Sequence, residues 1–186
     1  MTTSDLLRTP LYDWHVEQGA RMVDFAGWSM PVQYESIVAE HLATRERASV
    51  FDVSHMGRLR FDGPDSGRFL DRILTRRVLD LQPGRIRYAL VTNIEGGILD
   101  DVLVYHQQTP SETDYHMLVV NAGNRTKIVK WIQSQLRPED EVMMSDRTEE
   151  TAMLAVQGPR AIDLVDPLID ADVQSMAYYR SRTTKQ

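Results

Sequence analysis

The chain has 186 residues, 42% hydrophobic and 26% charged, a composition that suffices for one globular domain or two small ones. A formal net charge of −6 argues mildly against non-specific nucleic-acid binding, and the lack of cysteine excludes disulfides, thiolate nucleophiles and cysteine-ligated zinc. The N-terminus resembles neither a signal peptide nor a transit peptide, and no apolar run approaches the length of a membrane span, so the sequence predicts a soluble, cytoplasmic protein.

The first third of the sequence predicts short irregular elements followed by one helix. Residues 9–34 mix aromatic residues, glycine and proline without a clear period, which indicates loops and short elements around buried aromatic side chains. Residues 35–52 place apolar side chains three and four positions apart, a pattern typical of an amphipathic helix. One face of that helix carries Ile37, Val38, His41, Leu42 and Arg45.

From residue 58 onward, strands and helices alternate more regularly. Strands are predicted from their apolar patterns at 58–63, 87–93, 98–106, 115–121 and 140–146. Helices are predicted from apolar stripes at 63–75 and 122–136, and a further strand and helix follow at 151–159 and 159–169. The order β-α-β-β-β-α-β resembles a ferredoxin-like unit with one added strand, which predicts an α+β fold with antiparallel sheets and packed helices.

Two adjacent carboxylates, Asp100 and Asp101, lie inside the apolar strand GGILDDVLVY. Because side chains alternate along a strand, the two carboxylates point to opposite faces and cannot form a facing acid pair of the glycosidase type. At most one of them is therefore catalytic, and the other is a hairpin or backbone partner; the alternative is that both cap the hairpin. An acid in apolar surroundings is a candidate proton acceptor or partner for a substrate cation.

Other polar clusters are weaker signals. His106 and His116 flank a loop, but two histidines alone make a weak metal site, so metal binding is not predicted. The sequence contains no glycine-rich phosphate loop. Arginines surround a Pro-Gly turn, where a solvated loop is a better interpretation than a docking patch for an acidic partner; they are Arg76, Arg77, Arg85 and Arg87.

Five segments together resemble the aminomethyltransferase, or T-protein, of the glycine cleavage system. In chain order they are TPLYDWHVEQGARMVDFAGWSMPVQY, VFDVSHMG, YALVTNIEGGILDDVLVY, VVNAGN and LAVQGP. The resemblance runs from about Arg8 to about Pro159 and more weakly to Tyr178 and Tyr179. It implies a ferredoxin-like unit at residues 58–148, inserted into a discontinuous folate-binding domain formed by residues 1–57 and 149–186.

The resemblance also implies a reaction and a site. Members of this family take an aminomethyl group from the lipoyl arm of the carrier H-protein and transfer the one-carbon unit to tetrahydrofolate, with release of ammonia. The second acid of the DD pair is their functional carboxylate beside folate N10, which corresponds to Asp101 here. Four further residues match positions at or near the folate cavity: Met56, Tyr88, Tyr105 and Asn121. No metal is implied.

The sequence departs from the family pattern in one respect. It shows no RTGYTGE-like segment and no C-terminal domain, both of which contribute to the folate site in the family. The resemblance therefore predicts an incomplete site, weak tetrahydrofolate binding and no transfer by this chain alone. Alternative members of the same superfamily stay open: a protein like dimethylglycine or sarcosine dehydrogenase, a sulfonium demethylase, or a non-catalytic folate-binding scaffold.

Overall fold

The computed structural model describes residues 6–184, which divide into two compact units. The first unit contains residues 6–55 and 148–175, and the second contains residues 56–147 and 176–184. Each unit is therefore built from two separate stretches of the chain.

Some predictions about the organisation of the chain stay predictions. Residues 1–5 and 185–186, the two ends of the predicted folate-binding domain, lie outside the described residues. The assignment of residues 1–57 and 149–186 to that domain, and of residues 58–148 to an insert, stays a prediction. Along the described chain, no helix combines the length and the apolar character needed to cross a membrane.

Strands and helices alternate along the described chain. In order they are β1 (Leu7–Arg8), α1 (Tyr12–Glu17), β2 (Arg21–Phe25), β3 (Trp28–Gln33), α2 (Ile37–Glu46), β4 (Ser49–Asp52), β5 (Gly57–Asp62), α3 (Ser66–Ile73), β6 (Arg85–Thr92), β7 (Ile98–Gln108), β8 (Asp114–Val120), α4 (Arg125–Gln135), β9 (Met143–Asp146), β10 (Leu154–Gln157) and α5 (Ala161–Val165). Short 3-10 turns precede α4 and follow α5. The class is α+β, as predicted.

The first unit contains two small sheets. Strand β3 lies at the centre of the first, with β2 antiparallel and β1 parallel to it, and β4 pairs with β10 in the second. The β2–β3 hairpin turns at Ala26 and Gly27, which both have positive φ, the geometry that two-residue hairpins favour. The carboxylate of Asp24 accepts a hydrogen bond from the backbone N–H of Gly27 and closes this turn.

Helix α2 forms where the periodicity predicts it, and its apolar face is not buried in this unit. None of its residues is buried. The stripe stands in solvent in this unit: Ile37, Val38 and Leu42 are 57%, 68% and 48% exposed, and His41 and Arg45 are exposed too. Periodicity is a local property that is sufficient to predict a helix, whereas burial also requires an opposing layer, which the described residues of this unit do not place over the stripe.

The second unit is built on a five-stranded antiparallel sheet with strand order β6-β7-β8-β5-β9. Without β6, the remaining four strands and the helices α3 and α4 have the order and connections of a ferredoxin-like unit. Strand β6 is the added strand, at the sheet edge beside β7. The predicted β-α-β-β-β-α-β order is confirmed.

Helices α3 and α4 cover one face of this sheet, called here the core face. Buried apolar side chains of both helices and of the sheet form one cluster, which includes Leu59, Phe61, Phe69, Leu70, Ile73, Val91, Val102, Val104, Leu118, Val120, Ile128 and Ile132. Because side chains alternate, the intervening residues of β7 point to the opposite face, called here the second face. The second face of β7 carries Asp101, Leu103 and Tyr105.

The end of the described chain lies along the outer edge of β6. The backbone N–H of Ile86 donates to the carbonyl of Tyr179 at 3.0 Å, and the N–H of Ser181 donates to the carbonyl of Gly84 at 2.9 Å. Arg85 and Arg180 form an antiparallel bridge between these two contacts. Residues 176–184 thus shield an edge strand whose backbone groups would otherwise be unpaired there.

Candidate functional site

Asp100 and Asp101 leave strand β7 on opposite faces, as strand alternation predicts. Asp100 lies opposite Val91 on the core face and is only 3% exposed. Asp101 lies opposite Leu90 on the second face and is exposed. The two acids therefore have different surroundings although they are neighbours in sequence.

The buried carboxylate of Asp100 is satisfied by three N–H donors. Its Oδ2 accepts from the backbone N–H of Asn121 at 3.0 Å. Its Oδ1 accepts from the side-chain amides of Asn121 at 2.9 Å and Asn124 at 2.6 Å. Asp100 is thus a backbone partner, but at the end of β8 and not in the hairpin, where Asn93 Oδ1 accepts from the N–H of Gly97 instead.

The exposed carboxylate of Asp101 is oriented by the same asparagine. Asn121 Nδ2 donates to Asp101 Oδ1 at 2.9 Å and to the Asp101 carbonyl at 3.0 Å. Among the described residues, Oδ2 of Asp101 accepts no hydrogen bond. One carboxylate oxygen is therefore fixed, while the other can accept a hydrogen bond from a ligand or stabilise a nearby positive charge.

Tyr88 and Tyr105 lie on the same face as Asp101. Tyr88 of β6 is 45% exposed and lies opposite Leu103, the residue between Asp101 and Tyr105 on the second face of β7. Tyr88 is therefore a diagonal neighbour of both Asp101 and Tyr105. Diagonal neighbours in a sheet are about 7–8 Å apart, within reach of aromatic side chains. Burial raises the pKa of the Tyr105 hydroxyl, which therefore stays protonated and keeps its hydrogen-bond donor at neutral pH. The two rings provide flat apolar surface beside an oriented acid.

Met56 lies at the end of the sheet that also carries Asn121. Gly57 of β5 pairs with Val120 of β8, so the residues before and after them, Met56 and Asn121, reach the same edge of the two strands. A Cβ at Gly57 would collide with the side chain of Val120, so this close pairing requires glycine. The carbonyl of Met56 accepts from Arg58 Nη1 at 2.6 Å, which fixes the entry of the chain into β5.

The five predicted site residues all belong to the second unit. The structure brings Asp101 and Asn121 into direct contact, places Tyr88 and Tyr105 on the face of Asp101, and places Met56 at the strand end beside Asn121. The sequence reasoning missed Asn124. The pattern NAGN directly after a strand was a usable signal, because asparagine side chains often bond to nearby groups where a strand ends and a helix begins.

The histidine pair is a separate feature of the core face. The rings of His106 and His116 stack with centroids 4.5 Å apart beside a cavity of about 490 Å³. Nδ1 of His106 lies 2.5 Å from the Leu81 carbonyl, and Nδ1 of His116 lies 3.0 Å from Ser66 Oγ. Burial, with a smaller contribution from His106, lowers the pKa of His116 to about 4. No cluster of three or more potential metal ligands occurs among residues 6–184.

The first unit contains a buried hydrogen-bond chain that the sequence did not reveal. His15 lies 2.9 Å from Asp52 through Nε2 and 2.7 Å from the Tyr34 hydroxyl through Nδ1. The backbone N–H of Ser54 also donates to Asp52. Burial by itself would raise the pKa of Asp52, but hydrogen bonds from Ser54 and His15 outweigh burial and hold that pKa below its usual value. This chain connects α1, the segment after β3, and β4.

Comparison with known proteins places the chain in a family. A sequence model of the GCVT N-terminal domain matches residues 11–186. The chain is 48% identical to the aminomethyltransferase of Rubrobacter xylanophilus over 175 residues, which cover 94% of this chain and 45% of the relative. It is 45% identical to the aminomethyltransferase of Herpetosiphon aurantiacus over 172 residues, which cover 92% and 46%.

A solved structure gives the same result. The glycine cleavage system aminomethyltransferase T from Bartonella henselae superposes with a TM-score of 0.87 at 31% sequence identity, over 97% of this chain and 48% of that protein. The chain spans about half the length of the curated relatives it matches. The chain therefore belongs to the aminomethyltransferase family and carries its GCVT N-terminal domain.

Proposed function

We propose that the protein works in aminomethyl transfer, moving the one-carbon unit from the lipoyl-bound aminomethyl group of a carrier H-protein to tetrahydrofolate. The observation that carries this proposal is the carboxylate of Asp101, which Asn121 orients on a face that also presents Tyr88 and Tyr105. Family membership supports the reaction class. A cytoplasmic location is part of the same proposal.

The proposed reaction has a balanced course. The transferred carbon starts with one bond to the lipoyl sulfur and one to an amine nitrogen, and it ends bonded to N5 and N10 of the folate. The C–S bond and the bond to the amine both break, so a thiol and ammonia leave. The two protons displaced from N5 and N10 go to these leaving groups. The product is methylenetetrahydrofolate.

In this course Asp101 has an electrostatic and a positioning role. The transferred carbon acquires iminium character, and a carboxylate that is already held in place would stabilise such positive charge far better than water does once bound folate covers it. The free Oδ2 of Asp101 is suited to accept a hydrogen bond from folate N10–H and to orient the nitrogen for attack. Asn121 holds the other oxygen, so the carboxylate does not need to reorganise during the reaction.

The remaining predicted residues complete the proposed site. Tyr88 and Tyr105 would contact the pterin or benzoyl ring through their flat faces, and Met56 and Asn121 would close the site at the strand end. We propose that residues 58–148 form the inserted unit, which carries every residue of this site except Met56, and that Met56 lies just before it. Residues 1–57 and 149–186 would belong to the discontinuous folate-binding domain.

The test is an assay for ammonia and methylenetetrahydrofolate with aminomethylated H-protein and tetrahydrofolate. We would run it on the 186-residue chain alone and on the chain mixed with the part of the Rubrobacter xylanophilus relative that it does not match, expressed separately. The second arrangement is called here the complemented assay. Product formation that requires both substrates supports the proposal. Product from a sarcosine, dimethylglycine or sulfonium donor without H-protein, or no product in either arrangement, contradicts it.

A further inference from the structure

The site contains a second layer of polar residues that the predicted folate contacts do not explain. Asp100 is a nearly fully buried acid, which is costly unless its charge is satisfied. It points to the core face, away from the face of Asp101, and so lies on the wrong side of the sheet for a substrate bound at Asp101. Its three hydrogen bonds nonetheless all come from the residues that follow β8.

Asp100 holds Asn121 at two atoms. Oδ2 accepts from the backbone N–H and Oδ1 accepts from the side-chain amide, so both the position and the rotamer of Asn121 are constrained. A carboxylate without a proton only accepts hydrogen bonds, so two acids beside one amide force its NH₂ group, and not its oxygen, to face them. The orientation of the Asn121 amide thus follows from Asp100 and Asp101 together.

Asn124 in turn holds Asp100. It lies in the 3-10 turn Ala122–Asn124 before α4, and its Nδ2 donates to Asp100 Oδ1 at 2.6 Å. Its backbone N–H donates to the Asn121 carbonyl at 3.0 Å, which keeps the turn closed. The hydrogen bonds therefore form one connected path from Asn124 through Asp100 and Asn121 to Asp101 Oδ1.

We infer that Asp100 and Asn124 are positioning residues for Asp101 and that they act through the side-chain amide of Asn121. The inference rests on the proposed function, since it assigns these two residues to the same transfer site. Neither residue touches the substrate. They fix which oxygen of Asp101 is occupied and which is free, and misplacement of a reacting group by about 1 Å can cost about a hundredfold in rate.

The chain offers a matched control one turn further along, in the first turn of α4, with a partner on the same strand. Lys127 Nζ of α4 donates to the Leu99 carbonyl of β7 at 2.7 Å, so Lys127→Met removes a tie between these elements without touching the carboxylates. Asn124→Ala also removes one side-chain hydrogen bond to β7, but this bond ends on the carboxylate of Asp100. A loss of general stability would affect both variants, whereas a positioning role would affect only Asn124→Ala.

The first measurement uses the 186-residue chain and needs no activity. We would follow the side-chain amide resonances of Asn121 and the carboxyl carbon of Asp101 by NMR in the wild type, Asn124→Ala and Lys127→Met. We expect Asn124→Ala to shift both sets of signals and Lys127→Met to leave both in place. An Asp101 carboxyl signal that is unchanged in Asn124→Ala, or equally changed in both variants, overturns the inference.

The second measurement is a double-mutant cycle in the complemented assay. We expect Asn124→Ala to lower kcat about tenfold while KM for tetrahydrofolate changes less than about twofold, because positioning affects the reacting geometry more than binding. In an Asp101→Asn background, the effect of Asn124→Ala should vanish. Equal effects in both backgrounds overturn the inference. If the wild type shows no transfer, that result contradicts the proposed function and not this inference. The NMR measurement tests separately whether Asn124 and Asp100 position Asp101.

Discussion

The two faces of the five-stranded sheet treat the same residue type in opposite ways. The core face buries Asp100 under three N–H donors, whereas the second face leaves Asp101 exposed with Asn121 as the donor to its carboxylate among the described residues. The first arrangement satisfies a buried carboxylate with hydrogen bonds, and the second leaves one carboxylate oxygen accessible on the face that carries two tyrosines. Because consecutive residues of a strand point to opposite faces, Asp100 is a structural acid and its neighbour Asp101 is an acid suited to chemistry.

The largest expected effect is a difference in how much the free energy of unfolding falls when an aromatic side chain is removed from each face. Phe61→Ala on the core face removes a fully buried ring and should lower the free energy of unfolding by about 3–5 kcal/mol. Tyr88→Ala on the second face, where the ring is 45% exposed, should cost less than about 1.5 kcal/mol. Urea denaturation followed by circular dichroism measures both. Equal losses would mean that the second face is packed as tightly as the core face.

The next effect is a dependence of stability on pH that originates on the core face. The pKa of His116 is lowered to about 4 in the folded chain, so between about pH 6.5 and pH 4 the unfolded chain binds a proton that the folded chain does not. The neutral histidine therefore stabilises the folded chain fully above pH 6.5, and this stabilisation is lost as the pH falls to 4. For a pKa shift of this size the free energy of unfolding falls by about 3 kcal/mol.

His116→Gln is the matched variant for this measurement. Between pH 7 and pH 4, the free energy of unfolding should fall by about 3 kcal/mol more for the wild type than for His116→Gln. The glutamine lacks the titrating ring but keeps a polar group near Ser66. Parallel curves for the two proteins would show that His116 is not held neutral by the core face.

The smallest expected effect concerns the first unit. Leu42→Ser on the exposed stripe of α2 should lower the free energy of unfolding by less than about 1.5 kcal/mol, because the side chain is already 48% exposed and α2 buries none of its residues. Denaturation of the 186-residue chain measures this change. A loss above about 2 kcal/mol would indicate that Leu42 is covered in solution, for instance by another chain.

The parts of the fold that sequence could predict are those set by local patterns. The period-2 and period-3.6 signals suffice for the element order of the second unit, and alternation alone separates Asp100 from Asp101. The exposure of Ile37 and Val38 could not be predicted, because a periodic stripe does not reveal whether a layer covers it. The role of Asn124 was missed because its partner lies 24 residues earlier in the chain, and only the antiparallel pairing of the sheet brings the two together.

The most direct test of the central claim compares two isosteric variants in single-turnover transfer under the complemented assay. We expect Asp101→Asn to lower the rate about 100- to 1,000-fold while the dissociation constant for tetrahydrofolate stays near that of the wild type, because an electrostatic contact to the reacting atoms is lost. Asp100→Asn should cost only about tenfold, since it acts by misplacing Asp101. A damaging Asp100→Asn together with a silent Asp101→Asn would contradict the assignment of the two faces.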